Sequence, residues 1–453
     1  MKQKFMLQFT TTQLILLSFL IPIFVGSILL ALPISSANGQ AVSYIDALFT
    51  ATTSVCVTGL VTLPTYSAWS PFAQFVILIL IQIGGLGVVT IMTGVLLRFE
   101  KKIGIGERVL LQDAFNLNSL SGIIRFIKKV LMGTFLVEGI GALLCMFVFI
   151  PEYGIRGVWI SVFHAISAFC NAGMDVIGEN SMCNYASNPI IMSVTSVLII
   201  LGGIGFIVWW DVLSMLKSMK VHKKKCFRML SLHSKMALSS TMILLIGGMI
   251  AFFLLEYNNP LTMGSFSFVD KIQAAAFQSV TTRTAGFAAI PQENLTNASS
   301  IISLFLMFIG GSPVGTAGGI KTVTITVLII SAYATIRNKE ETEIFGRRIS
   351  KHAINKSVAV TAMSFLIMFL STVLLAAVTD SDALDIVYET VSATATVGLS
   401  RNLTSGLNMW GKLIIICTMY LGRVGPISLA IAFQTKRESR NIIKNPVEEI
   451  SVG

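Results

Sequence analysis

The sequence predicts an all-α integral membrane protein built from four span–loop–span repeats with pseudo-fourfold symmetry. Of its 453 residues, 54% are hydrophobic and only 12% are charged, whereas soluble domains carry about 25% charged residues. The apolar residues cluster in long runs, and a semi-polar segment ending in glycine recurs four times at even spacing. This composition excludes a soluble multidomain protein, a disordered chain, collagen and a disulfide scaffold.

Eight apolar runs have the length of about 20 residues that a helix needs to cross a bilayer. The first is long and lacks a small-residue cleavage site, so we expect it to remain as a span rather than be removed as a signal. The eight predicted transmembrane helices cover residues 13–32, 71–97, 127–150, 189–213, 236–256, 300–335, 354–378 and 409–433.

The basic residues lie on alternate sides of these spans. The two terminal stretches and the loops after spans two, four and six hold 26 Lys and Arg, against 4 in the other loops. Because basic loops stay inside, both termini are expected in the cytoplasm and the protein in the plasma membrane. The net charge of +11 therefore orients the chain and attracts anionic lipid. It is not evidence of nucleic-acid binding.

Four segments in the outer loops resemble one another. Each runs through a helix-compatible stretch, with an aromatic residue at a matching offset, to a glycine followed by an apolar residue. These glycines are Gly59, Gly173, Gly286 and Gly398, spaced by 114, 113 and 112 residues. The spacing divides the chain into repeats 1–112, 113–225, 226–345 and 346–453, each with two spans and one short helix before its glycine loop.

A second glycine motif follows each loop within the next span. It reads GGLG from Gly84, GGIG from Gly202, GGSP from Gly310 and GRVG from Gly422. A dinucleotide-binding loop is excluded because no strand–turn–helix context surrounds it. Small residues instead allow membrane helices to approach closely.

Polar residues exclude some other functions. The six cysteines form no metal-binding spacing, and Cys170 with Cys183 is the only plausible disulfide pair. His164 stands alone, without the acidic partners of a membrane-bound enzyme. An alternating-access transporter would favour inverted repeats, but these repeats share one orientation. A receptor or scaffold would leave the four polar loops unexplained.

Four glycine loops that meet at one axis would suit a dehydrated cation. Irregular backbone at membrane depth is tolerated only where it is buried in protein or lines water. Rings of carbonyl oxygens can replace the hydration shell of a monovalent cation, and glycine permits the backbone conformation this needs. The short helices would point their negative C-terminal ends at the ion. Asp46 and Asp385 fit the N-terminal ends of two of them.

The repeats resemble the Trk/Ktr/HKT superfamily of potassium transporters, most closely the Ktr-type membrane subunit, over roughly 13–445. The most specific segment is GGSPVGTAGGIKT, Gly310–Thr322. The resemblance implies eight transmembrane helices, four pore helices and a central selectivity filter for potassium. The implied filter residues are Val57, Thr58, Gly59, Asn171, Ala172, Gly173, Thr284, Ala285, Gly286, Thr396, Val397 and Gly398.

The sixth span is interrupted by six Gly or Pro residues in ten positions, which should break its helix. The resemblance implies that loop 310–322 obstructs the pore below the filter, and that Arg423 in the eighth span interacts with it. Lys412 is expected to reach the outer surface. The implied gate residues are Gly310, Gly311, Ser312, Gly315, Thr316, Gly318, Gly319, Lys321 and Arg423.

The resemblance also implies a homodimer and a cytoplasmic ring of nucleotide-binding regulatory subunits. The tail, Asn445–Gly453, and the basic inner loops are candidate contact surfaces. Potassium would be the transported ion, with sodium as a possible activator, and no covalent cofactor is expected. A sodium- or proton-coupled cation symporter of the same fold remains the alternative.

Overall fold

The computed structural model describes residues 11–98, 108–109, 111–112, 122–178, 180–222 and 226–425. This part of the chain is mostly helical, with one short antiparallel hairpin of β1 (Glu343–Ile344) and β2 (Arg347–Arg348). The helices in chain order are α1 (Thr11–Leu30), α2 (Tyr44–Cys56), α3 (Thr65–Ala68), α4 (Pro71–Leu86), α5 (Val88–Arg98), α6 (Ile123–Tyr153), α7 (Arg156–Cys170), α8 (Pro189–Gly203), α9 (Phe206–His222), α10 (Cys226–Met229), α11 (Leu232–Glu256), α12 (Phe268–Thr281), α13 (Asn297–Phe308), α14 (Thr322–Ile336), α15 (Lys351–Val378), α16 (Ala383–Ala395) and α17 (Met409–Val424).

Four of the described helices, α1, α6, α11 and α15, are individually long and apolar enough to cross a membrane. The pair α8 and α9 makes a fifth span if it is counted as one, although it bends by 103° at its break. The other apolar helices are too short to cross alone. A multi-pass membrane protein follows from these spans, while the full set of eight stays a prediction.

Glycine breaks interrupt two predicted spans that we expected to be continuous. In span 71–97 the first helix ends at Leu86, and a second helix begins after Gly87 (φ 83°). In span 189–213 the helix is broken before Phe206, at Gly205 (φ 91°). These φ values lie in the left-handed half of conformational space, which only glycine enters freely. The expectation of continuous helices was therefore wrong, because hydropathy averaged over a span does not detect a single glycine with a positive φ.

The interruption expected in span 300–335 is present. Helix α13 ends at Phe308 and α14 begins at Thr322, with irregular backbone between them. Helix α17 ends at Val424, and Gly425 also has a positive φ of 88°. The rest of the predicted eighth span, 426–433, lies outside the described residues, as does the tail Asn445–Gly453.

The helices pack in a circular order. Each short helix (α2, α7, α12 and α16) packs against the long helix before it. Helix α4 contacts α7 of the next repeat, α8 contacts α12, α13 contacts α16, and α17 returns to contact α2. The aromatic residues with matching offsets are buried at the centre of these contacts: Phe49, Phe163, Phe277 and Tyr388.

Acidic residues at the starts of the short helices are paired. Asp46 and Asp385 lie in the first turns of α2 and α16, as expected. The ammonium of Lys412 lies 2.6 Å from the Asp46 carboxylate, and the Arg401 guanidinium lies 2.6 Å from that of Asp385. The Lys412–Asp46 ion pair joins the first and fourth repeats. That Lys412 reaches the outer surface stays a prediction.

The candidate disulfide does not form in this structure. Cys170 is buried at the end of α7, and its thiol faces Gln82 and Glu138. Cys183 is also a free thiol and donates a hydrogen bond to the carbonyl of Ala288 at 3.5 Å. The two thiols therefore belong to different local environments.

Candidate functional site

The four predicted glycine loops lie in contact with one another as a closed cycle. A methyl group built on Gly59 would come within 2.5 Å of the carbonyl oxygen of Ala172, and one on Gly173 within 2.7 Å of that of Ala285. The cycle continues from Gly286 to the carbonyl of Val397 at 2.5 Å, and from Gly398 back to that of Thr58. The backbones approach so closely that only glycine fits at these four positions.

The loops share an unusual backbone conformation. The residue two positions before each glycine is left-handed, and each glycine also has a positive φ, from 65° to 99°. A left-handed conformation costs a non-glycine residue about 1–3 kcal/mol, so the surrounding structure must hold it in place. The left-handed residues are Val57 (φ 55°), Asn171 (59°), Thr284 (65°) and Thr396 (51°).

Hydroxyl groups near the end of each short helix hold the loop backbone. They lie six residues before the glycine in three repeats and five before it in the third, a recurrence we did not recognise in the sequence. Two of them accept hydrogen bonds from the glycine amides, and two donate to the carbonyl of the residue after the glycine. The pairs are Thr53 with Gly59 (2.9 Å), Ser392 with Gly398 (3.0 Å), Ser167 with Met174 (2.6 Å) and Thr281 with Phe287 (2.7 Å).

The second glycine motif lies directly against the ends of the short helices. A side chain on Gly84, Gly202 or Gly422 would collide with a backbone carbonyl there: that of Val55, Phe169 or Thr394, respectively. This agrees with the interpretation that small residues permit close helix packing. The first glycine of the third motif, Gly310, faces Gly318 of its own segment instead.

Residues 309–321 form a closed loop between α13 and α14. Ile309 and Ile320 make a parallel bridge, and the Gly310 amide donates to the Ile320 carbonyl at 2.9 Å. The hydroxyls of Ser312 and Thr322 lie 3.0 Å apart at its base. We refer to residues 309–321 as the inner loop.

The break between α8 and α9 receives the inner loop. The amides of Ser312 and Thr316 donate to the carbonyls of Gly203 and Gly202 at 2.8 and 3.0 Å. In return, the Phe206 amide donates to the Val314 carbonyl at 2.9 Å. The bend in the second repeat thus supplies backbone partners that the inner loop could not find within itself.

The inner loop also contacts the ends of the short helices and the glycine loops. The Gly318 amide donates to the hydroxyl of Thr284 at 3.1 Å, and the Thr316 hydroxyl donates to the carbonyl of Phe169 at 2.9 Å. A side chain on Gly318 would collide with the hydroxyl of Thr396. The predicted gate residues and filter residues are therefore neighbours in space.

Three basic side chains donate to carbonyl oxygens around the inner loop. Arg423 donates to the carbonyl of Thr316 at 2.7 Å and to that of Gly84 at 2.6 Å. Lys321 donates to the carbonyl of Ala317 at 2.6 Å. Within the described part of the chain, neither side chain has a carboxylate at ion-pair distance.

The third basic side chain, Arg283, was not expected here. We assigned it to an outer loop, but it is 7% exposed and donates to the carbonyl of Gly310 at 3.2 Å and to that of Thr241 at 3.4 Å. The sequence signal for this position was that Arg283 comes immediately before Thr284, in the third predicted filter segment. Basic side chains of the third repeat (Arg283 and Lys321) and of the fourth repeat (Arg423) therefore surround the inner loop.

These features define a helical, multi-pass membrane protein whose irregular loops meet at one point above a buried segment. The chain belongs to the TrkH family of cation transport proteins, which it matches over residues 5–445. It is accordingly a transport protein rather than an enzyme.

Several characterised proteins are similar over nearly the full length. The chain is 40% identical to the potassium/sodium uptake protein NtpJ of Enterococcus hirae, covering 100% of this chain and 99% of the relative. It is also 40% identical to the Ktr system potassium uptake protein B of Bacillus subtilis, covering 98% and 97%. The crystal structure of the potassium transporter TrkH from Vibrio parahaemolyticus shares the fold, with a TM-score of 0.75 at 17% identity over 94% of this chain and 84% of that one.

Proposed function

We propose that this protein takes up potassium across the plasma membrane through a central pore. The observation that carries the proposal is the closed cycle of contacts among the four glycine loops. Two relatives at 40% identity are described as potassium uptake proteins, one of them also for sodium. We infer that eight spans with pseudo-fourfold symmetry surround the pore, with both termini in the cytoplasm.

In this proposal the three loop residues of each repeat form a selectivity filter. Their backbone carbonyls coordinate the ion, and the hydroxyls of the short helices keep those carbonyls in register. Helices α2, α7 and α16 end directly at the loops, so their negative ends favour a cation. The loop sequences are unequal, so we expect fewer ordered ion sites than in a symmetric filter. The twelve filter residues are Val57, Thr58, Gly59, Asn171, Ala172, Gly173, Thr284, Ala285, Gly286, Thr396, Val397 and Gly398.

We propose that the inner loop is the gate. Support comes from its hydrogen bonds to Thr284 and Phe169, and from the basic groups of Arg423 and Lys321 around it. An ion leaving the filter toward the cytoplasm would meet this segment and its positive charge. Conduction then requires the inner loop to leave the break between α8 and α9.

We further propose that two copies of the chain associate as a homodimer with a cytoplasmic ring of nucleotide-binding subunits. One relative is named as protein B of a Ktr system, and this name supports an assembly with more than one component. The basic inner segments and the tail 445–453 are the proposed contact surfaces. Sodium would act as an activator in this scheme, or as a coupled ion in the symporter alternative.

Rescue of a potassium-transporter-deficient strain tests the proposal. Cells expressing the chain with its regulatory subunit should grow and accumulate potassium at limiting external concentration. Measuring sodium uptake together with potassium uptake distinguishes activation from coupling, since a symporter would move sodium in fixed ratio with potassium. A Gly173→Ser variant, in which the side chain would collide with the backbone near Ala285, is the matched negative control. Expression without any rise in cation uptake would contradict the proposed function.

A further inference from the structure

An open groove of about 700 Å³ lies where α4 begins, beside the first turn of α7. Its lining combines aromatic rings with one basic residue: Tyr66, Trp69, Phe75, Trp159 and Arg156. The groove is distant in sequence from every gate residue and takes no part in the proposed ion path. Its floor is held together by the indole N–H of Trp159, which donates to the side-chain oxygen of Gln74 at 2.9 Å.

The groove holds a basic side chain and no acidic one. The Arg156 guanidinium lies 4.7 Å from the ring centre of Tyr66, and no Asp or Glu lines the groove. Among the described residues, Arg156 has no carboxylate at ion-pair distance. The indole N–H of Trp69 is also buried without a partner, in a side chain only 1% exposed. The lining therefore carries a positive charge that no carboxylate neutralises, which suits an anionic oxygen group.

An apolar stripe starts at the groove. Phe72, Phe75 and Ile79 follow helical spacing along α4 and are exposed by 39%, 52% and 43%. Apart from Gln74 and Gln82, which bond to other helices, helix α4 is apolar, so this face suits hydrocarbon rather than water. Trp and Tyr at the head of the stripe are the residues enriched at membrane interfaces. A ligand that fits the whole surface has an anionic head and a hydrocarbon tail.

We propose that this groove binds the phosphate headgroup of an anionic phospholipid. Arg156 binds the phosphate oxygens, and one acyl chain lies along Phe72, Phe75 and Ile79. A free phosphate would use the charge but not the stripe. A zwitterionic lipid would bring its own cation next to Arg156. Because Trp159 lies on α7, which leads to the second filter segment, a bound lipid also braces that helix against α4.

Photo-crosslinking in nanodiscs tests this binding directly. The full chain is reconstituted with diazirine-labelled phosphatidylglycerol, or with the matching phosphatidylcholine, and the labelled peptides are mapped by mass spectrometry. Phosphatidylglycerol should label 66–75 and 156–159 in preference to phosphatidylcholine. The Arg156→Gln variant should reduce this labelling about tenfold, the effect of losing a hydrogen bond from a charged donor, whereas Arg156→Lys should retain part of it.

The matched control is Arg337→Gln, which changes another arginine lying over a tyrosine ring, 5.5 Å from Tyr333, outside the groove. It should leave labelling of the groove peptides unchanged. Arg156→Lys keeps the positive charge and loses the guanidinium fork, so it tests the headgroup contact even if Arg156→Gln fails to fold. Equal labelling by both lipids, unchanged labelling in Arg156→Gln, or complete competition by inorganic phosphate would each overturn the proposal.

Discussion

Replacing Arg423 with Gln should increase cation flux through the protein. The guanidinium joins the inner loop at the Thr316 carbonyl (2.7 Å) to α4 at the Gly84 carbonyl (2.6 Å). A hydrogen bond from a charged donor contributes about 1.5–3 kcal/mol. The hydrogen bond to Thr316 is lost when the inner loop moves away. Removing this bond by mutation should therefore shift the equilibrium toward the moved position of the inner loop by about 10- to 100-fold. Removal of one positive charge from the ion path acts in the same direction.

Rubidium uptake into proteoliposomes measures this effect. Arg423→Gln should increase uptake about tenfold or more, up to the limit set by the filter. Arg423→Lys keeps the charge but cannot reach both carbonyls in the same way, and should be intermediate. Arg348→Gln is the matched control, because that arginine is exposed on the β-hairpin and pairs with Glu341. Deleting 312–317 should also raise flux. Wild-type flux in a folded Arg423→Gln protein would refute the role of the inner loop as a gate.

Three further outcomes are expected. Gly286→Ser places a side chain against the Val397 carbonyl at a position whose φ is 82°. It should lower the potassium-over-sodium uptake ratio about tenfold. An unchanged ratio would contradict the proposed filter. Thr53→Ala leaves the buried amide of Gly59 without a hydrogen-bond acceptor, at a cost of about 1–3 kcal/mol. It should lower the potassium-over-sodium uptake ratio, while Thr53→Ser should preserve that ratio. Lys412→Met leaves Asp46 unpaired and should reduce the free energy of unfolding by about 1–3 kcal/mol. Adding Asp46→Asn in the same chain should restore most of this loss if the ion pair is responsible.

Local patterns were sufficient to find the glycine loops and the break after Phe308. Glycine at Gly59 and its three counterparts could be recognised because even spacing exposes a repeat, and the dense glycines of the inner loop weaken any helix. The left-handed conformation of Val57 could not be anticipated, since β-branched residues disfavour it. That conformation is imposed by neighbours from other parts of the chain.

Charged residues near span ends were harder to place. Arg283 counted as an outer-loop charge because it follows a semi-polar segment, yet it is buried against the Gly310 carbonyl. Lys412 was expected to reach the outer surface, and its partner Asp46, 366 residues away, could not be predicted. Hydropathy and charge counting describe a residue's own neighbourhood in sequence. They contain no information about a partner supplied by another repeat.

Composition by itself indicated that the chain resides in a membrane, and the even spacing of its glycines predicted four repeats. The motif Gly310–Thr322 carried the resemblance to cation transporters. Only the tertiary structure decided that the four loops touch in a cycle and that the inner loop docks in the break of α8 and α9. It also decided that Arg423 bonds a carbonyl 339 residues away. The physical reason is that these contacts are made by backbone amides and carbonyls that have no helical hydrogen-bond partner at the glycine breaks. Such groups accept any donor of suitable geometry, so their partners depend on how the helices pack and not on residue type.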